Sequence, residues 1–185
     1  MSDSVVVSVK SRSMAMVPAL LACLALAGWG STAAADDDLV GFSDPLYCVP
    51  NPTFSALLNG MVEMQHSGVS YVPVLKTPPV PARFEDRVGP PVLTIDGDQY
   101  RATSPLRGAW QGLPLRSLTV IGWVESEEGF ILAFDADRDE VLAAVNRAGF
   151  DIPPAGSLYR EDVVMGVNMG VGEHDGAATL FCIPG

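Results

Sequence analysis

Basic charge is scarce in this chain. Of its 185 residues, 11 are Lys or Arg against 22 Asp or Glu, for a net charge of −11. Lys76 is the only lysine beyond residue 10. A nucleic-acid surface needs a basic footprint, and so acidic a chain has none to offer. The same deficit argues against docking on an anionic membrane face. Histidine is equally rare: His66 and His174 stand far apart, without the HExxH spacing of a zinc protease. There is no GxSxG elbow to present a hydrolase serine, and no internal repeat. The longest apolar run, Met14 to Gly28, is shorter than the ~18–20 residues that would span a bilayer.

What is present begins with an export pattern. Lys10 and Arg12 form a positive n-region, the apolar run follows, and Ala33-Ala34-Ala35 offers small residues at a cleavage site. This order is that of a cleaved secretory signal over residues 1–35. Asp36-Asp37-Asp38 then starts the mature chain. Leu20-Leu21-Ala22-Cys23 is a rival exit, since it resembles a lipobox in which Cys23 would carry a lipid anchor. Loss of residues 1–35 removes Asp3, Lys10 and Arg12, which leaves 21 acidic against 9 basic side chains and a net charge of −12. The remainder, 36–185, has the length of one domain, enough to bury about 70% of its unfolded surface.

Cysteine is nearly absent too. Of the three, Cys23 leaves with the signal, so Cys48 and Cys182 remain. An even pair in an oxidising compartment reads as one disulfide.

Along 36–185 the apolar pattern predicts an α+β domain. Asn51 and Pro52 suit the start of a helix, and Phe54, Leu57, Leu58, Met61 and Val62 form one helical stripe, with Gly68 as its stop. Tyr71 to Leu75 reads as an edge strand because of Pro73. Residues 76–91, rich in proline, read as an extended surface loop. Val92–Ile95 and Tyr100–Thr103 form a hairpin about Asp96-Gly97-Asp98-Gln99. Ser117–Val124 is apolar on both faces, so it is a central strand. Glu125-Ser126-Glu127-Glu128-Gly129 reads as a solvated turn, and Phe130–Phe134 as the returning strand. Asp137 and Glu140 open a second helix with a capping box, Val141, Leu142, Val145 and Ala148 make its stripe, and Gly149 stops it. A last hairpin pairs Asp162–Met169 with Ala177–Ile183 across Gly170–Gly176. The expected fold is an antiparallel sheet of about 5–7 strands with two amphipathic helices on one face, closed by one disulfide.

Chemistry-bearing patterns are few. Asp135-Ala136-Asp137-Arg138-Asp139 starts like a calcium loop, but Glu140 stands where its glycine belongs and Asn146 where its bidentate glutamate belongs. An acidic helix start explains these residues without a metal. Ser67 beside His66 is adjacency, not a triad. Glu173-His174-Asp175 offers ligand types on a flexible turn only. No pattern asks for a cofactor. The remaining patch is Arg101, Arg107, Trp110 and Arg116, the residue types that dominate binding hot spots. It could meet an anionic ligand or a partner loop; alternatively Trp110 plugs the core and the arginines pair with nearby acids.

These observations favour a non-enzymatic exported domain, periplasmic or secreted, that works by binding. A cationic envelope protein is the expected partner, with this chain as inhibitor or adaptor. The alternatives are a small-ligand or envelope-component binder using the face near Trp110, and a cell-wall hydrolase using paired carboxylates. If charge steers a cationic partner, affinity for it should fall steeply with salt, because exposed charges are screened over about 8–10 Å. Titration at low and high salt tests this, and unchanged binding would remove the electrostatic reading.

Overall fold

A computed structural model describes residues 38–124, 126, 128–161 and 166–185. The expected export signal, the lipobox-like stretch at Cys23, Glu125, Glu127 and Asp162 lie outside the described residues. The chain enters through an arm in which Leu39 and Val40 are buried, then forms a short ribbon, β1 (Phe42–Asp44) and β2 (Val49–Pro50). Helix α1 (Pro52–Asn59) follows, then the separate hairpin β3 (Val62–Ser67) and β4 (Ser70–Leu75). The strands β5 (Val92–Asp96), β6 (Gln99–Pro105), β7 (Ala109–Trp110), β8 (Leu113–Trp123) and β9 (Gly129–Phe134) lead to helix α2 (Arg138–Arg147). The chain ends in β10 (Ser157–Glu161), β11 (Gly166–His174) and β12 (Ala177–Pro184).

Eight of these strands form one sheet in the order β10-β11-β12-β9-β8-β6-β5, with β7 also paired to β8, and every pairing is antiparallel. The sheet is thus larger than the expected five to seven strands, and the helical part is smaller. Helix α1 ends at Asn59, not at Gly68. Asn51 caps it by accepting from the Phe54 N–H at 2.8 Å. Its end is forced at Gly60, where a Cβ would lie 2.3 Å from Pro79 Cδ. The proline-rich segment packs against that point. Met61 and Val62 are buried, as a helical stripe would place them, but Val62 belongs to β3. Gly68 stands between β3 and β4.

The second helix begins and ends as its sequence indicates. The Glu140 carboxylate accepts from the Asp137 N–H at 3.2 Å, and Gly149 leaves the helix at φ 102°. The last hairpin differs. Strand β11 runs on to His174, so Gly170 and Gly172 are strand residues and only Asp175-Gly176, at φ 51° and 70°, form the turn. Glycine is needed at 170 because a Cβ would stand 2.6 Å from the Phe181 ring and 2.4 Å from the Gly156 carbonyl. β10 is an additional strand that the sequence pattern did not reveal.

One face of the sheet carries the core. Tyr100 and Ala102 on β6, Leu118 and Val120 on β8, Phe130, Leu132 and Phe134 on β9, and Leu180 and Cys182 on β12 are all buried. They recur every second residue, as strand geometry requires. α2 packs on β11 and β12, while α1 packs near β2 and β3. Phe42, from the arm, lies 4.8–6.0 Å from the rings of Phe54, Trp110, Phe130 and Phe150. The arm is held by the Cys48–Cys182 disulfide, which joins positions 134 residues apart. Replacing both cysteines by serine should lower stability by about 2–5 kcal/mol, read as an earlier midpoint in urea unfolding. An unchanged midpoint would mean that packing alone holds the arm.

Candidate functional site

The other face of the sheet is polar at its centre. Side chains that alternate with the core set emerge there: Arg101 and Thr103 from β6, Ser117 and Thr119 from β8, Thr179 from β12. They line a trough of about 410 Å³ together with Thr94, Arg116, Ile131, Ala133, His174, Asp175 and Ala177. The floor is registered. Thr103 faces Thr119, which faces Ile131, and Ser117 faces Ala133, which faces Thr179. The Thr103 and Thr119 hydroxyls lie 2.9 Å apart. Thr119 and Thr179 are buried although polar.

Arg116 reaches the trough through a break in alternation. On β8, Leu115 pairs with Phe134 and Ser117 with Ala133, so two steps on β8 match one on β9. Arg116 is the extra residue of a β-bulge, a device that re-aims side chains. Without it, Leu115 and Leu118 could not both face the core, where both are buried. The Arg116 carbonyl accepts from the Leu106 N–H at 3.0 Å, which holds the bulge where β6 leaves β8.

The electrostatics of the trough oppose those of the chain. Arg101, Arg116 and His174 line it against one carboxylate, Asp175. Asp175 stands at the rim, 3.3 Å from His174 Nε2, with its side chain 88% exposed. Arg101 donates through Nε to the Gln99 amide oxygen at 3.1 Å. Among the described residues neither Arg101 nor Arg116 has a carboxylate partner, whereas Arg138 and Arg160 do. A guanidinium fork left free of carboxylate is equipped to hold carboxylate, phosphate or sulfate in a bidentate grip.

The four patch residues therefore part company. Arg101 and Arg116 share the trough. Trp110 is 4% exposed on the opposite side of the sheet, within 6.0–6.3 Å of the Phe42, Phe134 and Phe150 rings. Arg107 is exposed between β6 and β7 and does not line the trough. The hydroxyl floor and His174 were not singled out as a site by sequence. The usable trace was the two-residue alternation of Arg101 and Thr103 with the buried Tyr100 and Ala102. The other histidine, His66, lies on the separate β3–β4 hairpin, its ring edge-on to Tyr71 at 5.2 Å. Asp137 caps α2, and no group of three or more metal-ligating side chains occurs among the described residues.

A second cavity, about 350 Å³, opens beside the disulfide and is lined by Tyr47, Val49, Leu58, Phe130 and Val167, with Glu128 as its one charged lining residue. The buried Tyr100 hydroxyl donates to Glu128. Burial pushes the Tyr100 phenol far above its usual range, and the hydrogen bond and charge of Glu128 add to the shift. This tyrosine stays a donor across the physiological range. Among the described residues the two cavities thus differ in polarity, one lined by an acid and no base, the other by three bases and one acid. The chain matches no family model, no curated protein and no solved structure.

The division of the patch yields a test by stability. Trp110→Ala should cost about 3–5 kcal/mol, the usual penalty for emptying a buried aromatic site. Arg116→Ala should stay within about 0.5 kcal/mol of the parent. Urea unfolding of both variants checks this, and a neutral Trp110→Ala would release that residue for a binding role.

Proposed function

We propose that this protein is an exported binding protein that takes an anionic, hydroxyl-bearing ligand in the trough on the open face of its sheet. The observation that carries this reading is the convergence of Arg101 and Arg116, without carboxylate partners among the described residues, on a single cavity. Arg87, Arg107 and Arg147 likewise have no carboxylate partner among the described residues, so what singles out Arg101 and Arg116 is that they line the same polar trough, where both are available to a ligand. Thr103, Ser117, Thr119 and Thr179 supply hydroxyls that both donate and accept. These would orient a ligand, while the guanidinium groups hold its charge. The export pattern of residues 1–35 and the disulfide fit an extracytoplasmic setting.

A second reading is supported by charge alone. At −12 over residues 36–185, the outer surface would steer a cationic protein, as an inhibitor or adaptor does. It would use acids outside the trough.

The trough reading predicts the outcome of calorimetric titration with galacturonate and with inorganic phosphate. The parent protein should bind at least one of them. Arg101→Ala with Arg116→Ala should weaken that binding about 100-fold or more, since each charge-assisted contact is worth about 1.5–3 kcal/mol. The double variant should keep the parent circular dichroism spectrum. Undiminished binding by the folded double variant, or no binding of either probe by the parent, would remove this reading.

A further inference from the structure

The shape of the trough says more about its ligand than charge does. A sphere of the cavity's volume would be roughly 9 Å across, the width of about two strand spacings. Yet the lining comes from six different strands: β5 through Thr94, β6 through Arg101, β8 through Thr119, β9 through Ala133, β12 through Thr179 and β11 through His174. Six adjacent strands cover about 24 Å across a sheet at about 4.8 Å each. In the strand direction the lining steps through four registered rows, Thr94 with Arg101, Thr103 with Thr119 and Ile131, Ser117 with Ala133 and Thr179, and Ala177 with His174, each set further across the sheet than the last. The cavity is thus a narrow band that runs diagonally across the sheet. Its basic side chains are spread along the band: Arg101 on the first row at β6, Arg116 beside the third at β8, and His174 on the fourth at β11, three strand steps beyond β8, or about 14 Å.

We infer that the ligand is an acidic polysaccharide segment laid along this diagonal, several sugars long, with its anionic groups on Arg101 at one end, on Arg116 between, and on His174 at the other. This rests on the trough being an anion site. A compact anion would use one end and leave the rest of the floor idle. A chain of hydroxylated rings uses all of it. The threonine and serine hydroxyls match ring hydroxyls, and Ile131, Ala133 and Ala177 between them match the C–H faces of the rings. An acidic peptide fits less well, because the floor offers side-chain hydroxyls rather than free strand edges for its amides.

Titration of a length series separates the possibilities: galacturonic acid and its oligomers of two to four units, sulfated chondroitin oligosaccharides, neutral malto-oligosaccharides and short glutamate peptides. The expected result is a rise in affinity of about tenfold or more from the monosaccharide to the trimer of an acidic series, with no binding of the neutral series. His174→Ala should weaken the trimer and leave the monosaccharide unchanged. If monomer and trimer of an acidic sugar bind alike, the chain inference fails while the anion site stands. Length-dependent binding of glutamate peptides without acidic sugars overturns it in favour of a peptide. Absence of binding by every anion removes this inference together with the reading on which it rests.

Discussion

One inserted residue lets a single strand work on two surfaces. Strand β8 is the spine of the sheet, joined to β9 on one side and to β6 and β7 on the other. A strand alternates its side chains strictly, so a fixed pattern cannot keep Leu115 and Leu118 in the same core. The bulge at Arg116 shifts the phase by one. It keeps both leucines buried and turns a guanidinium toward the polar face, into the trough that Arg101 of β6 also lines. Core packing and the composition of the trough therefore depend on the same local irregularity.

The core face has its own fixed point. The arm carries Phe42 into contact with four aromatic rings from α1, β7, β9 and the segment after α2. Three of them, to Phe54, Trp110 and Phe150, are edge-to-face, and each such contact adds about 0.5–1.5 kcal/mol beyond burial. The disulfide holds the arm to β12, beside the position where Cys182 pairs with Phe130. With helices and arm gathered on this side, the opposite face is left for polar side chains. The trough lies on that face, over a floor in which Thr119, Ala133 and Thr179 are themselves buried.

Charge works at two ranges. The chain as a whole is strongly negative, and its acids act at a distance only within about 8 Å at physiological salt. A ligand in the trough meets arginines at contact distance, where remote acids are screened. An acidic surface and an anion site are thus compatible in one molecule. On the proposed reading the outer charge would favour solubility and repel unspecific anions, while Arg101 and Arg116 would hold the ligand's charged groups in place.

Much of this was legible along the chain because it depends on neighbours in sequence. The hairpin at Gly97, the two-sided strand β8, and the capping box and glycine stop of α2 follow from local patterns, and the Cys48–Cys182 pairing from there being only two cysteines beyond residue 35. The short first helix was not legible, because Gly60 ends it against Pro78 and Pro79, which lie in a later segment. The glycines of β11 looked like a loop, because the ring that fills their space, Phe181, arrives from β12. Composition and order alone determined the acidity, the export pattern, the antiparallel character and the residue types of the patch. Only the tertiary structure decided that Trp110 belongs to the core and that Arg101 and Arg116 share a trough with Thr179 and His174. The physical reason is that a sheet face is assembled from residues on different strands. Which of them meet is fixed by register and by one bulge, and neither is written in any single segment of the chain.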